Sequence, residues 1–217
     1  MFFKLAKKRK LISENPFQET SAPAGDSSGR QHFVTEEDAG KLLSVANPTW
    51  RTILGLCRFG GLRCPSEVLS LRWEDILWDS QKIVVTSPKT EHHEGKGSRV
   101  IPLFSELLPI LLESSELAED RAEYVVGGNY REAAQGPNGW QNCNLRTQFE
   151  RIIKRAGLAP WPRMFPNLRA SRETELVKKH PVHVVVSWMG NTPRVAMKHY
   201  LQVTDEDFRK ATEKSGA

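Results

Sequence analysis

Residues 76–103 read ILWDSQKIVVTSPKTEHHEGKGSRVIPL, and they decide the fold class. Ile76–Trp78, Lys82–Thr86 and Arg99–Leu103 are β-branched or alternate polar with apolar, the period of a half-buried strand. Asp79-Ser80 supplies a turn between the first two runs, and SPKTEHHEGKGS, too polar for a core, joins the second to the third. The pattern predicts one small three-stranded antiparallel sheet. Outside it the apolar spacing is helical. Thr35 followed by Asp38 resembles a capping box opening a helix through Leu42, Leu43 and Val45. Pro48 starts a second helix whose Trp50, Ile53, Leu54 and Cys57 share a face, and Gly60-Gly61 stops it. A short helix is expected at PSEVLSL, then helices over about 105–118, 143–157, 167–179, 181–190, 193–201 and 205–214. The fold class is therefore mainly α with a small three-stranded antiparallel sheet (α+β), without internal repeats.

The chain has 217 residues, 39% hydrophobic and 26% charged, which is ordinary for a globular protein. No run approaches the ~18 apolar residues of a membrane span, and the start MFFKLAKKRK lacks the apolar stretch of a secretory signal. Cys57, Cys64 and Cys143 are too few and too dispersed for a disulfide framework or a CxxC zinc site, which implies a reducing, cytoplasmic setting. Residues 32–217 read as one compact domain, 18–31 as a flexible linker rich in Ser, Ala, Gly and Pro, and 1–17 as either the last helix of a preceding helical domain or a basic tail. The net charge of +5 is carried by Lys4, Lys7, Lys8, Arg9 and Lys10; the other 207 residues hold 26 basic and 26 acidic side chains. Nucleic-acid binding cannot be argued from total charge here, only from where particular cations sit.

Four places set a basic or nucleophilic residue in an unusual context. In GGLRCPSEVL, residues 60–69, a glycine pair leads into Arg63 at the mouth of a helix, with Glu67 four residues on; the two form either a solvated surface pair or a held arginine. Lys89 lies on the polar hairpin loop, where a lysine is ordinarily just solvated. His92 and His93 share that loop, but no Cys, His or Asp cluster elsewhere completes a metal site. In NLRASR, residues 167–172, Arg169 falls in the first turn of an expected helix, where amide donors and the positive dipole end suit a phosphate. Finally, WMGNTPRVAMKHY ends one helix at Gly190, opens another at Thr192-Pro193, and places Tyr200 near its end; a lone tyrosine there is more often core.

Their order makes the pattern. Arg63, Lys89, Leu168-Arg169, Gly190-Asn191 and Tyr200 together resemble the tyrosine recombinase (phage integrase) family from about Phe33 to Asp207. The G-L-R-x-x-x-E-x-L block at Gly61–Leu69 and the 31-residue step from Arg169 to Tyr200 carry most of the likeness. The resemblance implies a mainly α catalytic domain whose sheet bears the lysine, and a DNA recombinase or integrase of mobile-element type. Tyr200 would attack the scissile phosphate of double-stranded DNA, giving a 3′-phosphotyrosyl intermediate and a free 5′-hydroxyl. Arg63 and Arg169 would clamp the phosphoryl oxygens, Lys89 would protonate the leaving oxygen, and Glu67 would orient Arg63. It further implies no metal, nucleotide or small-molecule cofactor, and a homo-oligomer, a tetrameric synapse, assembled on DNA. Residues 1–17 would be the last helix of the N-terminal core-binding domain that family members usually carry. The C-terminal TDEDFRKATEKSGA would dock either on its own domain or on a neighbouring protomer, and Trp161 would be a core anchor or line the DNA face.

Two positions depart from the family pattern. Pro166 stands where a histidine usually precedes the second arginine by three residues, and Asn191 where His or Trp often follows the glycine. Proline has no side-chain hydrogen bond to offer; asparagine can donate to a phosphate oxygen but cannot take the Tyr200 proton at neutral pH. Asn167, Arg172 and His199 are the polar neighbours in sequence. The alternatives to an active recombinase are a remnant that binds DNA without cutting, a type IB topoisomerase-like enzyme, and a helical interaction domain.

Overall fold

The computed structural model of the chain describes residues 2–18, 28–87, 97–135, 139 and 143–212. Helices α1 (Phe2–Lys8), α2 (Glu36–Val45) and α3 (Pro48–Arg58) precede strands β1 (Ile76–Leu77), β2 (Lys82–Thr86) and β3 (Ser98–Pro102). Helices α4 (Leu108–Glu116), α5 (Gly128–Ala134), α6 (Leu145–Arg155), α7 (Met164–Lys179), α8 (Val182–Met189), α9 (Pro193–His199) and α10 (Asp205–Thr212) follow. Residues 88–96 of the expected loop SPKTEHHEGKGS, with Lys89, His92 and His93, and most of the expected linker lie outside the described residues.

The sheet forms in the order β1-β2-β3, antiparallel throughout, with Ile76 opposite Ile83, Ile83 opposite Ile101 and Val85 opposite Arg99. Ile83, Val85 and Ile101 face inward and are fully buried. Strand parity puts Arg99 on that same inward face. Helix α3 is the hub. Asn47 caps it by accepting from the Trp50 amide at 2.9 Å, and Pro48 occupies its first turn. Trp50, Ile53, Leu54 and Cys57 are buried as expected, and the opposite side is covered too, because α3 packs on α2, α4 and α7. Thr35 caps α2 by accepting from the Asp38 amide at 3.0 Å.

The structure corrects several boundaries. Residues 64–70 form hydrogen-bonded turns instead of a helix: the Glu67 amide reaches Arg63 O, but the next amide, Val68, donates to that same carbonyl at 3.3 Å and breaks the i−4 ladder. Helix α5 is additional, since Gly127-Gly128-Asn129 reads as a turn; Tyr130 secures it by accepting from Trp50 Nε1 at 2.9 Å. Helix α7 begins at Met164, three residues before the expected start. Pro166 sits in its first turn, where a missing N–H breaks no intrahelical bond. Arg169 is thus in the second turn, and a helix-terminus phosphate site does not apply to it. Trp161 is a core residue, 6% exposed and stacked on His32. Among the described residues no helix is long and apolar enough to cross a membrane.

Candidate active site

The site lies where the loop after α3, the edge of β3, helix α7 and the turn after α8 meet. Glu67, 1% exposed, is its centre. Its carboxylate accepts from the Arg63 amide at 2.8 Å and from Arg63 Nη1, from Arg99 Nη1 and Nη2 at 2.7 Å each, and from Ser87 Oγ at 2.7 Å. Arg169 Nη1 stands 4.0 Å away. Burial pushes the Glu67 carboxyl up, but the hydrogen bond and charge of Arg99, then the charges of Arg63 and Arg169, outweigh it and bring it down to about 2. A carboxylate with this many donors is ionised throughout the neutral range.

Arg63 is positioned rather than solvated. Besides Glu67 it donates through Nη2 to Gly190 O at 2.9 Å, and a quarter of its side chain stays open. Arg169, 2% exposed, donates through Nη1 to Gly61 O and through Nη2 to Met189 O. It therefore ties the loop after α3 to the turn after α8. Burial, then the like charges of Arg63 and Arg99, lower its guanidinium to about 10, which leaves it charged at neutral pH. Each terminal nitrogen keeps a second hydrogen for an incoming anion. Two glycines make this closeness possible. Gly61, at φ +66°, would place a Cβ 2.7 Å from Met189 Cε, and Gly190, at φ +63°, one 2.8 Å from Arg99 Cδ.

Tyr200 closes α9 and is half-buried. The Arg169 guanidinium carbon lies 5.6 Å from its ring centroid, and its carbonyl accepts from Thr174 Oγ1 at 3.3 Å. Asn191, beside Gly190, donates through Nδ2 to both oxygens of Glu173 at 2.8 and 3.2 Å. So Arg63, Glu67, Arg169, Asn191 and Tyr200 converge. Lys89 lies outside the described residues; the strand leading toward it ends beside Ser87, which bonds Glu67. Two of the sequence neighbours, Asn167 and Arg172, do not join the site. Asn167 Nδ2 donates to Arg30 O and Pro162 O, and Arg172 pairs with Glu106 on another side of α7. Nothing is described of the His199 side chain. Sequence reasoning missed two residues, Arg99 and Glu173. The inward parity of Arg99 in SRVIP, and the i+4 spacing of Glu173 from Arg169, were the available signals.

This arrangement is a carboxylate-centred pair of arginines beside a tyrosine, on a mainly α scaffold with a small sheet, and its cationic groups are chemically suited to an anion. The sequence pattern of the Phage integrase family matches residues 32–207, and the chain belongs to that family, the tyrosine-type site-specific DNA recombinases. Among solved structures, the XerA recombinase is similar at TM-score 0.67 and 17% identity, over 96% of this chain and 72% of that one. A lambda integrase dimer bound to a COC′ core site is similar at TM-score 0.64 and 19% identity, over 99% of this chain and 58% of that one. The Tn1549 transposon integrase in complex with a circular intermediate DNA gives TM-score 0.66 and 17% identity, over 98% and 75%. At these identities the likeness shows the fold. No curated protein sequence matches the chain.

Proposed function

We propose that Tyr200 is the nucleophile of this recombinase, attacking a scissile phosphate of duplex DNA and expelling the 5′-hydroxyl, with the reverse reaction rejoining the strand. The observation that carries this is the gathering of Arg63 and Arg169 around Glu67, with Arg169 in turn 5.6 Å from the Tyr200 ring, from segments that are separate in the chain. As the phosphoryl group passes through its transition state, charge grows on its non-bridging oxygens. Two permanently charged, prepositioned guanidiniums stabilise that charge without reorganising. Glu67 sets the plane of Arg63 and offsets the mutual repulsion of the three arginines, so that they sit together before DNA arrives. Lys89 serves as general acid to the leaving oxygen. Asn191 offers an amide N–H to a phosphate oxygen. The DNA-bound dimer of the lambda integrase and its tetramer on a Holliday junction support an oligomer on DNA as the working form here.

Negatively supercoiled plasmid at low salt with EDTA tests the reading. The expected result is relaxation together with an SDS-resistant protein–DNA adduct, both absent in Tyr200→Phe and reduced by about 100-fold or more in Arg169→Ala. A folded protein that binds DNA in a salt-dependent way yet forms no adduct would establish the alternative, a binder that no longer cuts, which Pro166 and Asn191 favour.

A further inference from the structure

Glu173 lies one turn beyond Arg169 on α7 and is 0% exposed. A carboxylate taken wholly out of water ordinarily binds a cation, because desolvating the charge is costly. Here the charges of Arg169 and Arg63 stand close, yet the hydrogen bonds of Arg63 go to Glu67 and Gly190 O, and those of Arg169 to Gly61 O and Met189 O. Among the described residues Glu173 forms no ion pair. Its hydrogen-bonded side-chain partner is neutral Asn191, whose Nδ2 meets both carboxylate oxygens at 2.8 and 3.2 Å. The Asn191 Oδ1 is buried without a hydrogen-bond partner. A packing role would be met by any side chain of similar volume and would not strand an acceptor.

We propose that Glu173 is a positioning residue for strand cleavage, holding the Asn191 amide by its nitrogen so that the second N–H of that same nitrogen is presented to the scissile phosphate. This rests on the reading of the site as a phosphotransfer centre. One nitrogen facing two oxygens of a single carboxylate spends one hydrogen there and keeps the other. With Glu173 absent, the amide is free to turn its oxygen outward, and an oxygen facing a phosphate repels it. The pair thus supplies a fixed donor from an amide and a buried carboxylate. Burial raises the Glu173 carboxyl above its ordinary value, the Asn191 hydrogen bond and the charges of Arg169 and Arg63 opposing it.

The test uses the full chain with Glu173→Gln, Glu173→Met, Asn191→Ala and the double variant Glu173→Met/Asn191→Ala. Gln keeps an acceptor of the right length, and Met keeps only the volume. Expected are adduct yields on supercoiled plasmid that fall at least about tenfold in Glu173→Met and in Asn191→Ala, no further in the double variant, and stay within a few-fold of wild type in Glu173→Gln. The melting temperature of Glu173→Met should be equal to or above wild type. Losses that multiply in the double variant, or that track a fall in melting temperature, would overturn the proposal. The Asn191 side-chain amide, identified in 15N-labelled protein by its absence in Asn191→Ala, gives a readout independent of cleavage. Its protons should be slow to exchange in wild type and Glu173→Gln, and fast in Glu173→Met; unchanged exchange in Glu173→Met refutes the positioning role. A wild-type chain that forms no adduct counts against the proposed function, while the amide signals still judge Glu173.

Discussion

Replacing Glu67 by Gln removes the one negative charge that three arginines share, while keeping the shape of the side chain. The carboxyl moves from an ordinary 4.5 to about 2 in the folded chain. At about 1.4 kcal/mol per tenfold change in proton affinity, that corresponds to roughly 3 kcal/mol of stability at neutral pH. Glu67 is 1% exposed, so solvent screening does not reduce the figure much. Spread over a chain of this size it predicts a melting temperature lower by about 6–12 °C in Glu67→Gln. The direction with pH is fixed by the sign. A depressed carboxyl stabilises the fold above its unfolded value, and the contribution fades as pH falls from 4.5 toward 2. The gap between wild type and Glu67→Gln should be full at pH 7 and roughly half as large at pH 3. Thermal unfolding followed by circular dichroism at the two pH values measures it. A gap that is absent at pH 7, or equal at both, refutes the idea that Glu67 holds the arginines by charge.

Glu173 predicts the reverse. Its carboxyl is raised, so protonated Glu173 favours the fold, and that contribution is present below 4.5 and lost as pH rises through the folded value. Glu173→Gln should therefore be as stable as wild type or more so at pH 7 by thermal unfolding. Gly190→Ala forces a side chain into a left-handed position against Arg99 Cδ at 2.8 Å, and should cost about 1–3 kcal/mol in urea unfolding. Arg58, 1% exposed, pairs with Glu175 and donates to Val34 O at 3.2 Å. Arg58→Ala should lose about 3–5 kcal/mol by the same measurement, most of it recovered when Glu175 is also made apolar.

The sheet and α3 were legible because each follows one simple rule, period two in IVV and RVI, and a capped apolar face after Asn47-Pro48. Arg63, Arg169 and Tyr200 were legible only as an ordered set, since each alone has a commonplace reading. Two kinds of feature escaped. Helix α5 exists through a tertiary bond, Trp50 Nε1 to Tyr130, that local propensity does not contain. Arg99 and Glu173 escaped because charge in a strand or helix is read by default as facing water. What reverses that default lies far away in the chain: Glu67, 32 residues before Arg99, and Asn191, 18 residues after Glu173. The start of α7 differs as well: it is expected at 167 and lies at Met164, because a first turn accommodates Pro166.

Arg169, Glu173 and Thr174 span five steps of one helix, a rise of about 7.5 Å. Through them α7 touches the loop after α3, the amide at 191 and the main chain of Tyr200. The helix therefore acts as a template whose angular phase sets three distances at once. A single residue inserted between Pro166 and Arg169 would turn all three groups by about 100° and disperse the site at a stroke. A change in length at His180-Pro181, beyond the last of them, would leave their mutual geometry intact. In laboratory evolution of this recombinase, insertions should accordingly survive between α7 and α8 and vanish within the first two turns of α7.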